Sequence, residues 1–242
     1  PHPNRGTMLK GVFFDAGNTV VFPDYGIYRD IAVSLGADVG IPEVVLAEAR
    51  ARTAFERAVA DSARGVMRYW PVYYTPFYES LGVPTDAVPA AIERTRAAND
   101  EGLGIWKVPV EGLDGTLGAL RARGLALGIV SNSDGRLEGR LGEIGIGSRF
   151  DFIIDSGVVG VSKPDPAIFR KALDRAGLDP ADVAYVGDYY EVDVVGSRAA
   201  GMSPVLFDPV GAYGAVDCPV VRRFEDVVPL VDGWMGAAEV GR

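Results

Sequence analysis

The chain has almost none of the residues that build redox and histidine chemistry. Among its 242 residues, Cys218 is the only cysteine and His2 the only histidine. One cysteine excludes an intrachain disulfide and favours a reducing, cytoplasmic setting. His2 lies in the polar, turn-rich residues 1–7, which we interpret as a tag remnant or disordered start before Met8. Histidine catalysis and a histidine metal site are therefore excluded.

Long apolar runs and an excess of positive charge are also missing. No stretch approaches the ~20 apolar residues that a membrane-spanning helix needs, and no signal-peptide pattern opens the chain. The net charge is −9 and the pI is about 4.7, which disfavours nucleic acid and anionic membranes as partners because both attract basic surfaces. An anionic substrate is still compatible with this charge, since a bound Mg²⁺ ion and a lysine can dominate the field in a small pocket.

Periodicity divides the rest of the chain into two kinds of structure. Hydrophobic residues make up 48% of the chain, enough for a sizeable core. Residues 10–15 are typical of a buried strand, whereas residues 23–104 carry apolar residues at helical spacing, with breaks at Pro42 and Pro84. This second segment is too long for a simple strand-to-helix connection, so we predict an inserted all-helical domain of about four helices.

From residue 105 onward, predicted helices and strands alternate. The clearest elements are a strand over 125–130, a helix over 165–176 and a strand over 183–187. Such alternation predicts an α/β fold with a mostly parallel sheet and helices on both faces. The predicted domains are therefore a core domain and an inserted helical domain, comprising residues 8–22 with 105–242 and residues 23–104, respectively.

Four apolar segments of the predicted core end in a polar residue suited to phosphate or metal chemistry. These residues are Asp15, Ser131, Lys163 and Asp188. In an open parallel sheet the carboxyl ends of the strands line one crevice, where ligands bind, so we expect these residues to meet there. Together they offer a nucleophile, a hydroxyl donor, a cation and a metal ligand, which is a set suited to handling a phosphoryl group.

Asp15 and Ser131 are the candidates for catalysis and phosphate binding. A carboxylate at the end of a buried strand needs a partner. It can serve covalent catalysis through an aspartyl-phosphate that water later cleaves, or it can simply form a turn. The Ser131 hydroxyl and the Asn132 amide can donate hydrogen bonds to phosphate oxygens, while Ser133 or Asp134 fits the N-cap of the next helix.

Lys163 and two aspartates supply opposite charges. Pro164 holds Lys163 extended before a helix that Asp165 is predicted to cap. The ammonium can neutralise charge on a transferred phosphoryl group, although an exposed loop lysine explains the pattern as well. Asp188 and Asp193 offer the hard oxygens that Mg²⁺ prefers, with an acid-rich helix N-terminus as the alternative.

In this order, the residues resemble the motifs of the haloacid dehalogenase-like hydrolase superfamily. Asp15-Ala16-Gly17-Asn18-Thr19 resembles its first motif, Asp-x-Asp-Gly-Thr, while later motifs are matched by Ser131, by Lys163 and by Gly187-Asp188 with Asp193. The resemblance implies a Rossmann-like core, an inserted helical cap and an Asp15 nucleophile. It also implies Mg²⁺ held by Asp15, the Gly17 carbonyl, Asp188 and Asp193, and phosphate contacts from Gly17, Asn18 and Asn132.

One position departs from the phosphatase pattern of that family. Its phosphatases carry a second Asp two positions after the nucleophile, which protonates the leaving oxygen and later activates water. Here that position is Gly17, and Asn18 replaces the glycine that usually follows. Because a proton-transfer residue contributes about 10²–10⁴-fold, we expect weak phosphatase activity unless the substrate, water or the cap supplies the proton.

Three functions therefore stay open. The first is a Mg²⁺-dependent phosphatase acting on a small phosphorylated substrate, as a monomer or homodimer. The second is a carbon–halogen hydrolase acting on a halogenated substrate, because 2-haloacid dehalogenases also lack the second Asp and halide leaves unprotonated, although that branch typically works without metal. The third is a protein that binds phosphate and metal without turnover. Residues 131–137 also match a Ser-Asn-x-Asp-x-Arg-Leu pattern found in relatives of open chemistry.

Overall fold

The computed structural model describes residues 9–60, 70–102 and 104–239. The start of the chain that we interpret as a tag remnant, residues 1–7, lies outside the described residues. By its internal contacts the chain divides into two units, one comprising Pro1–Phe22 with Pro109–Arg242 and the other Pro23–Val108. Within the described ranges, no helix is both long and apolar enough to cross a membrane.

The described residues form the following strands and α-helices, each numbered in chain order. The strands are β1 Gly11–Phe14, β2 Val21–Pro23, β3 Trp106–Pro109, β4 Ala126–Ser131, β5 Phe152–Asp155, β6 Val183–Gly187, β7 Ser203–Phe207 and β8 Val220–Val221. The α-helices are α1 Tyr25–Ser34, α2 Ile41–Ala60, α3 Trp70–Ser80, α4 Val88–Asp100, α5 Leu113–Ala122, α6 Leu137–Glu143, α7 Ser156–Val159, α8 Pro166–Ala176, α9 Gly196–Ala199 and α10 Val227–Glu239.

A six-stranded parallel sheet forms the centre of the first unit. Its strand order is β5-β4-β1-β6-β7-β8, and every neighbouring pair runs parallel. Strand β1 lies between β4 and β6, and all four of its residues are buried. An uninterrupted apolar strand of this kind is typical of a sheet covered on both faces.

Alternate residues of β1 enter two separate cores. Val12 and Phe14 belong to a cluster that also contains apolar side chains of α5, α6 and α10. Phe13 belongs to a second cluster, together with Ile168 and Phe169 of α8. Helices therefore cover both faces of the sheet, and the predicted α/β fold class is confirmed.

The second unit is helical and has its own core. Helices α1 to α4 lie in it, and their buried side chains form one cluster. Four aromatic side chains pack together in this core, with the Tyr28 and Phe77 rings edge to face at 5.2 Å between centroids. The Tyr28 and Tyr74 hydroxyls lie 3.0 Å apart and share a hydrogen bond, while the Tyr78 hydroxyl is bonded to Thr95.

Three local features differ from the sequence-based expectation. Strands β2 and β3, which pair as a separate two-stranded sheet, are not predicted. The helix after β4 begins at Leu137, and neither Ser133 nor Asp134 caps it, because the Asp155 carboxylate accepts the Leu137 N–H at 3.1 Å. The segment Tyr190–Val195 forms a π-helix that continues into α9.

The buried tyrosines of the helical unit predict alkaline unfolding. Burial raises the pKa of Tyr28 and Tyr74 above their usual range and raises the pKa of Tyr78 to about 12. The unfolded chain ionises its tyrosines near pH 10, whereas the folded chain keeps these protons. We therefore expect the free energy of unfolding to be unaffected by these groups below about pH 9 and to fall above it, by about 1.4 kcal/mol per pH unit for each tyrosine.

Urea denaturation between about pH 8 and pH 11 measures this slope, and the double variant Tyr28→Phe/Tyr74→Phe provides the comparison. The substitution removes both partners of one hydrogen bond, so its cost at neutral pH is small. Of the three tyrosines the double variant keeps only Tyr78, so the loss of stability per pH unit from these groups should fall to about one third, and the variant should show the shallower slope. Identical slopes in both proteins would contradict the raised pKa values of Tyr28 and Tyr74.

Candidate active site

Two carboxylates meet where β1 and β6 end. Asp15 follows β1, and its backbone N–H donates to the Val186 carbonyl of β6 at 2.9 Å. Asp188 follows β6, and both aspartates are buried. The sheet order brings them together, because β1 and β6 are adjacent parallel strands whose carboxyl ends lie at one edge.

A third carboxylate, Asp193, comes from the π-helix that follows. Oxygen atoms of Asp15, Asp188 and Asp193 all lie within 4.8 Å of one another, and all three residues are buried. Gly187 makes this approach feasible, because a Cβ atom at that position would overlap the Asp193 carboxyl group. The backbone N–H of Tyr189 donates to Asp193 Oδ2 at 3.0 Å and fixes its orientation.

Lys163 lies among these acids and is not an exposed loop lysine. It is 4% exposed, and α8 begins just after it, with Asp165 accepting the Ala167 N–H as the predicted N-cap. Lys163 Nζ donates to Asp15 Oδ1 at 2.6 Å, to Asp193 Oδ1 at 2.7 Å and to the Tyr185 hydroxyl at 3.1 Å. An ammonium has three N–H bonds, so all of them are directed to protein groups.

The charges of this cluster support one another. Burial acts to lower the pKa of Lys163, but the nearby Asp15 and Asp193 carboxylates outweigh it and raise that pKa above its usual range. Burial raises the pKa of Asp193, with Asp15 adding to the effect and Lys163 opposing it. Lys163 therefore stays charged. It donates to Oδ1 of Asp15, so Oδ2 is the Asp15 oxygen that this hydrogen bond does not occupy.

Asn132 ties Lys163 to the end of β4. Its Oδ1 accepts the Lys163 backbone N–H at 2.8 Å, and its Nδ2 donates to the Lys163 carbonyl at 2.9 Å. These paired bonds fix the main chain from which the Lys163 side chain reaches Asp15. A phosphate contact by Asn132 stays a prediction, and the amide has one further N–H and lone pair with which to make it.

Ser131 ends β4 and is buried, beside the carboxyl ends of β1 and β5. Its loop is held by Asp155, a residue that the sequence analysis did not single out. The Asp155 carboxylate accepts N–H groups of Gly135 at 3.1 Å, Leu137 at 3.1 Å and Gly157 at 2.8 Å. The sequence does contain a signal for this role, because Asp155 ends the apolar run Phe152-Ile153-Ile154 in the same way that Asp15 ends its own apolar run.

The turn after Asp15 contains Gly17 and Asn18. Asn18 has a positive φ of 53°, and its backbone N–H donates to the Val21 carbonyl at 2.8 Å. Asparagine tolerates this left-handed conformation better than most residues, which explains how it can stand where a glycine is usual. Gly17, two residues after Asp15, contributes only backbone groups to the turn.

Tyr185 is a further member of the cluster that the sequence analysis did not assign. It lies within the apolar strand β6 and is fully buried. Its hydroxyl donates to the Val130 carbonyl at 2.8 Å, accepts from Lys163, and lies 3.2 Å from Asp193 Oδ1. Burial raises the pKa of this phenol, so the hydroxyl keeps its proton. A tyrosine inside an otherwise apolar strand was the available signal.

The donor set fits a hard divalent cation. Three buried carboxylates face one ammonium, so the cluster carries excess negative charge that a bound cation would balance. All three ligands are oxygen donors, which suit magnesium or calcium rather than a softer metal. Both oxygens of Asp193 already accept hydrogen bonds, from Lys163 and from Tyr189, so this residue suits a supporting role.

Removing the Lys163 charge should destabilise the metal-free protein. In Lys163→Met, two buried carboxylates lose their cation, and breaking a buried ion pair costs about 3–5 kcal/mol. Urea denaturation in EDTA measures this change in the free energy of unfolding. Lys10→Met is the matched control, because the Lys10 side chain is exposed and its ion pair with Asp182 is open to solvent on the lysine side, so removing its charge should cost less than removing that of the buried Lys163. Equal urea midpoints for the two variants would show that the buried Lys163 ion pairs contribute no more to the free energy of unfolding than the Lys10 pair does.

Known proteins share both the sequence and the fold. A family model for haloacid dehalogenase-like hydrolase matches residues 9–201. The chain is 45% identical over 138 residues to haloacid dehalogenase-like hydrolase domain-containing protein 3 of Homo sapiens, covering 54% of this chain and 55% of the relative. It thus spans about half the length of that relative. It is also 30% identical over 248 residues to a phosphoglycolate phosphatase of Rhodospirillum rubrum, covering 97% of this chain and 94% of the relative.

A solved structure agrees with the fold. The HAD-hydrolase YfnB of Bacillus subtilis, solved bound to magnesium, superposes with a TM-score of 0.65 at 16% identity and covers 93% of this chain and 99% of its own. At this identity the similarity concerns the fold alone. The family model, which matches most of the chain, shows that this protein belongs to the haloacid dehalogenase-like hydrolase family.

Proposed function

We propose that this hydrolase is a Mg²⁺-dependent phosphatase that acts on a small phosphate monoester through an aspartyl-phosphate. One observation carries the proposal. Buried oxygens of Asp15, Asp188 and Asp193 lie within 4.8 Å of one another, and Lys163 Nζ lies 2.6 Å from Asp15. A nucleophile, a cation site and a positive charge thus share one edge of the sheet.

In the proposed reaction Asp15 is the nucleophile. Its carboxylate oxygen forms a bond to phosphorus while the bond between phosphorus and the ester oxygen breaks, and water then cleaves the aspartyl-phosphate to release phosphate and regenerate Asp15. Lys163 orients Asp15 and screens negative charge, and the Ser131 hydroxyl donates to a phosphoryl oxygen. Bound Mg²⁺, held by Asp15, the Gly17 carbonyl and Asp188 with support from Asp193, would neutralise charge on the phosphoryl group.

The leaving oxygen needs a proton that Gly17 cannot supply. We propose that water or the substrate provides it, which makes turnover slow and dependent on a good leaving group. The Rhodospirillum rubrum relative, a phosphoglycolate phosphatase by name, supports a small phosphorylated substrate over nucleic acid or a membrane. The net charge of −9 supports the same choice, and the single cysteine suits a cytoplasmic setting. A monomer and a homodimer are both compatible with the proposal.

A carbon–halogen hydrolase is the second candidate, favoured by Gly17 alone. Halide leaves without a proton, so the missing acid would cost such an enzyme nothing. The buried acidic cluster argues against it, because a dehalogenase of this kind has no need of a cation site. If the protein releases halide from 2-chloropropionate and continues to do so in EDTA, the carbon–halogen hydrolase is the correct function and the phosphatase proposal is wrong. A protein that binds phosphate and Mg²⁺ with no turnover of either substrate class is the remaining outcome.

Asp15→Asn should abolish phosphatase turnover. The amide is a poor nucleophile, so we expect kcat for p-nitrophenyl phosphate with Mg²⁺ to fall by about 10⁴-fold, or to background. Asp174→Asn is the matched control, since Asp174 is an exposed aspartate on α8 and should leave kcat unchanged. Equal rates for wild type and Asp15→Asn would remove Asp15 as the nucleophile, and EDTA should suppress wild-type turnover in the same assay.

Gly17→Asp should restore the missing acid. The gain depends on the leaving group, because an alkoxide needs a proton far more than p-nitrophenolate does. We expect kcat for an alkyl phosphate to rise by about 10²–10⁴-fold and kcat for p-nitrophenyl phosphate to change much less. Gly17→Asn introduces a side chain of similar size that cannot transfer a proton, so it should not raise kcat for the alkyl phosphate. A uniform change for both esters would show that the absent acid does not limit the reaction.

A further inference from the structure

Lys163 has one protein contact that charge pairing does not explain. Two of its three N–H bonds go to carboxylates, as expected for a buried ammonium. The third goes to the neutral Tyr185 hydroxyl at 3.1 Å, and that hydroxyl in turn donates to the Val130 carbonyl at 2.8 Å. A chain of hydrogen bonds therefore connects the ammonium to the main chain of β4, one residue before Ser131.

This chain fixes the direction of the ammonium. With the Tyr185 hydroxyl holding one N–H, the remaining two point at Asp15 Oδ1 and Asp193 Oδ1. The hydroxyl is itself held rigidly, because the Tyr185 ring lies within a fully buried strand and packs edge to face on Phe169 at 5.0 Å. Without it, the buried ammonium would have an unpaired donor and would reorient to satisfy it.

We propose that Tyr185 is a positioning residue for phosphoryl transfer, which acts by holding the Lys163 ammonium in line with the Asp15 nucleophile. The inference rests on the proposed function for its kinetic consequence, but not for the contact itself. Tyr185 does not touch the reacting group, since it lies beneath Lys163 and is fully buried. Its effect must therefore pass through the two charged groups that its hydroxyl contacts, Lys163 at 3.1 Å and Asp193 at 3.2 Å, and the Lys163 contact is the one that the test below observes directly.

The first arm of the test observes Lys163 directly in metal-free protein. With ¹⁵N-labelled lysine, a buried ammonium bonded to three acceptors exchanges its protons slowly and gives a separate N–H correlation. The other lysines of the chain, Lys10, Lys107 and Lys171, are more exposed and should exchange too fast to be seen. Tyr185→Phe should shift or abolish the Lys163 correlation. Tyr28→Phe, which removes a buried tyrosine hydroxyl in the helical unit, should leave it unchanged.

The second arm measures kinetics with p-nitrophenyl phosphate and Mg²⁺. Losing one hydrogen bond to a charged group in Tyr185→Phe should lower kcat about tenfold, with KM changed less than about twofold, because the ring still packs in β6. Tyr28→Phe should leave kcat unchanged. Tyr185→Met, which also lacks the hydroxyl, serves both arms if the phenylalanine variant does not fold.

The two arms separate the possible failures. An unchanged Lys163 correlation in Tyr185→Phe overturns the inference. A changed correlation with wild-type kcat also overturns it, because the contact would then have no role in the reaction. If wild type hydrolyses no ester, the proposed function fails, and the Lys163 correlation alone decides whether Tyr185 positions the ammonium.

Discussion

The buried ion cluster of Lys163 with Asp15 and Asp193 is the constraint on which the site depends. A charged group is costly to bury unless it is paired and hydrogen-bonded, and here each charge meets that condition through the others. The cluster also joins segments that are remote in sequence, since Asp15 and Lys163 are 148 residues apart. The site can therefore form only when the fold of the first unit has brought these segments together.

The acids at the strand ends divide into two groups by position in the sheet. Those on the inner strands β1 and β6, Asp15 and Asp188, face one another and form the cluster. Those on outer strands organise loops instead. Asp155 at the end of β5 accepts three backbone N–H groups, and Asp208 after β7 accepts the Ala212 and Tyr213 N–H groups and pairs with Arg222. The same residue type thus lines the candidate site after the two central strands and orders loops after strands farther from the centre.

Local pattern was a good guide to the fold where burial is uniform. The run Val183–Gly187 is a strand, as predicted, because an apolar segment of that length between turn residues is typical of a central parallel strand. The Asp165 cap was also predicted correctly, since an N-cap acts on its own helix. The cap of α6 was not, because its acceptor is Asp155, eighteen residues away on another strand.

What the sequence by itself determined is the class of elements, their order and the chemical groups available: a parallel sheet, a helical insertion, and the acids and lysine that follow the strands. Only the tertiary structure decided which of those groups touch. Strand order brought Asp15 next to Asp188, and packing beneath Lys163 added Tyr185, a residue with no local signature beyond its hydroxyl. The reason is physical, because helical and strand periodicity act over a few residues, whereas a buried charge is satisfied by whatever polar atom the fold brings within about 3 Å.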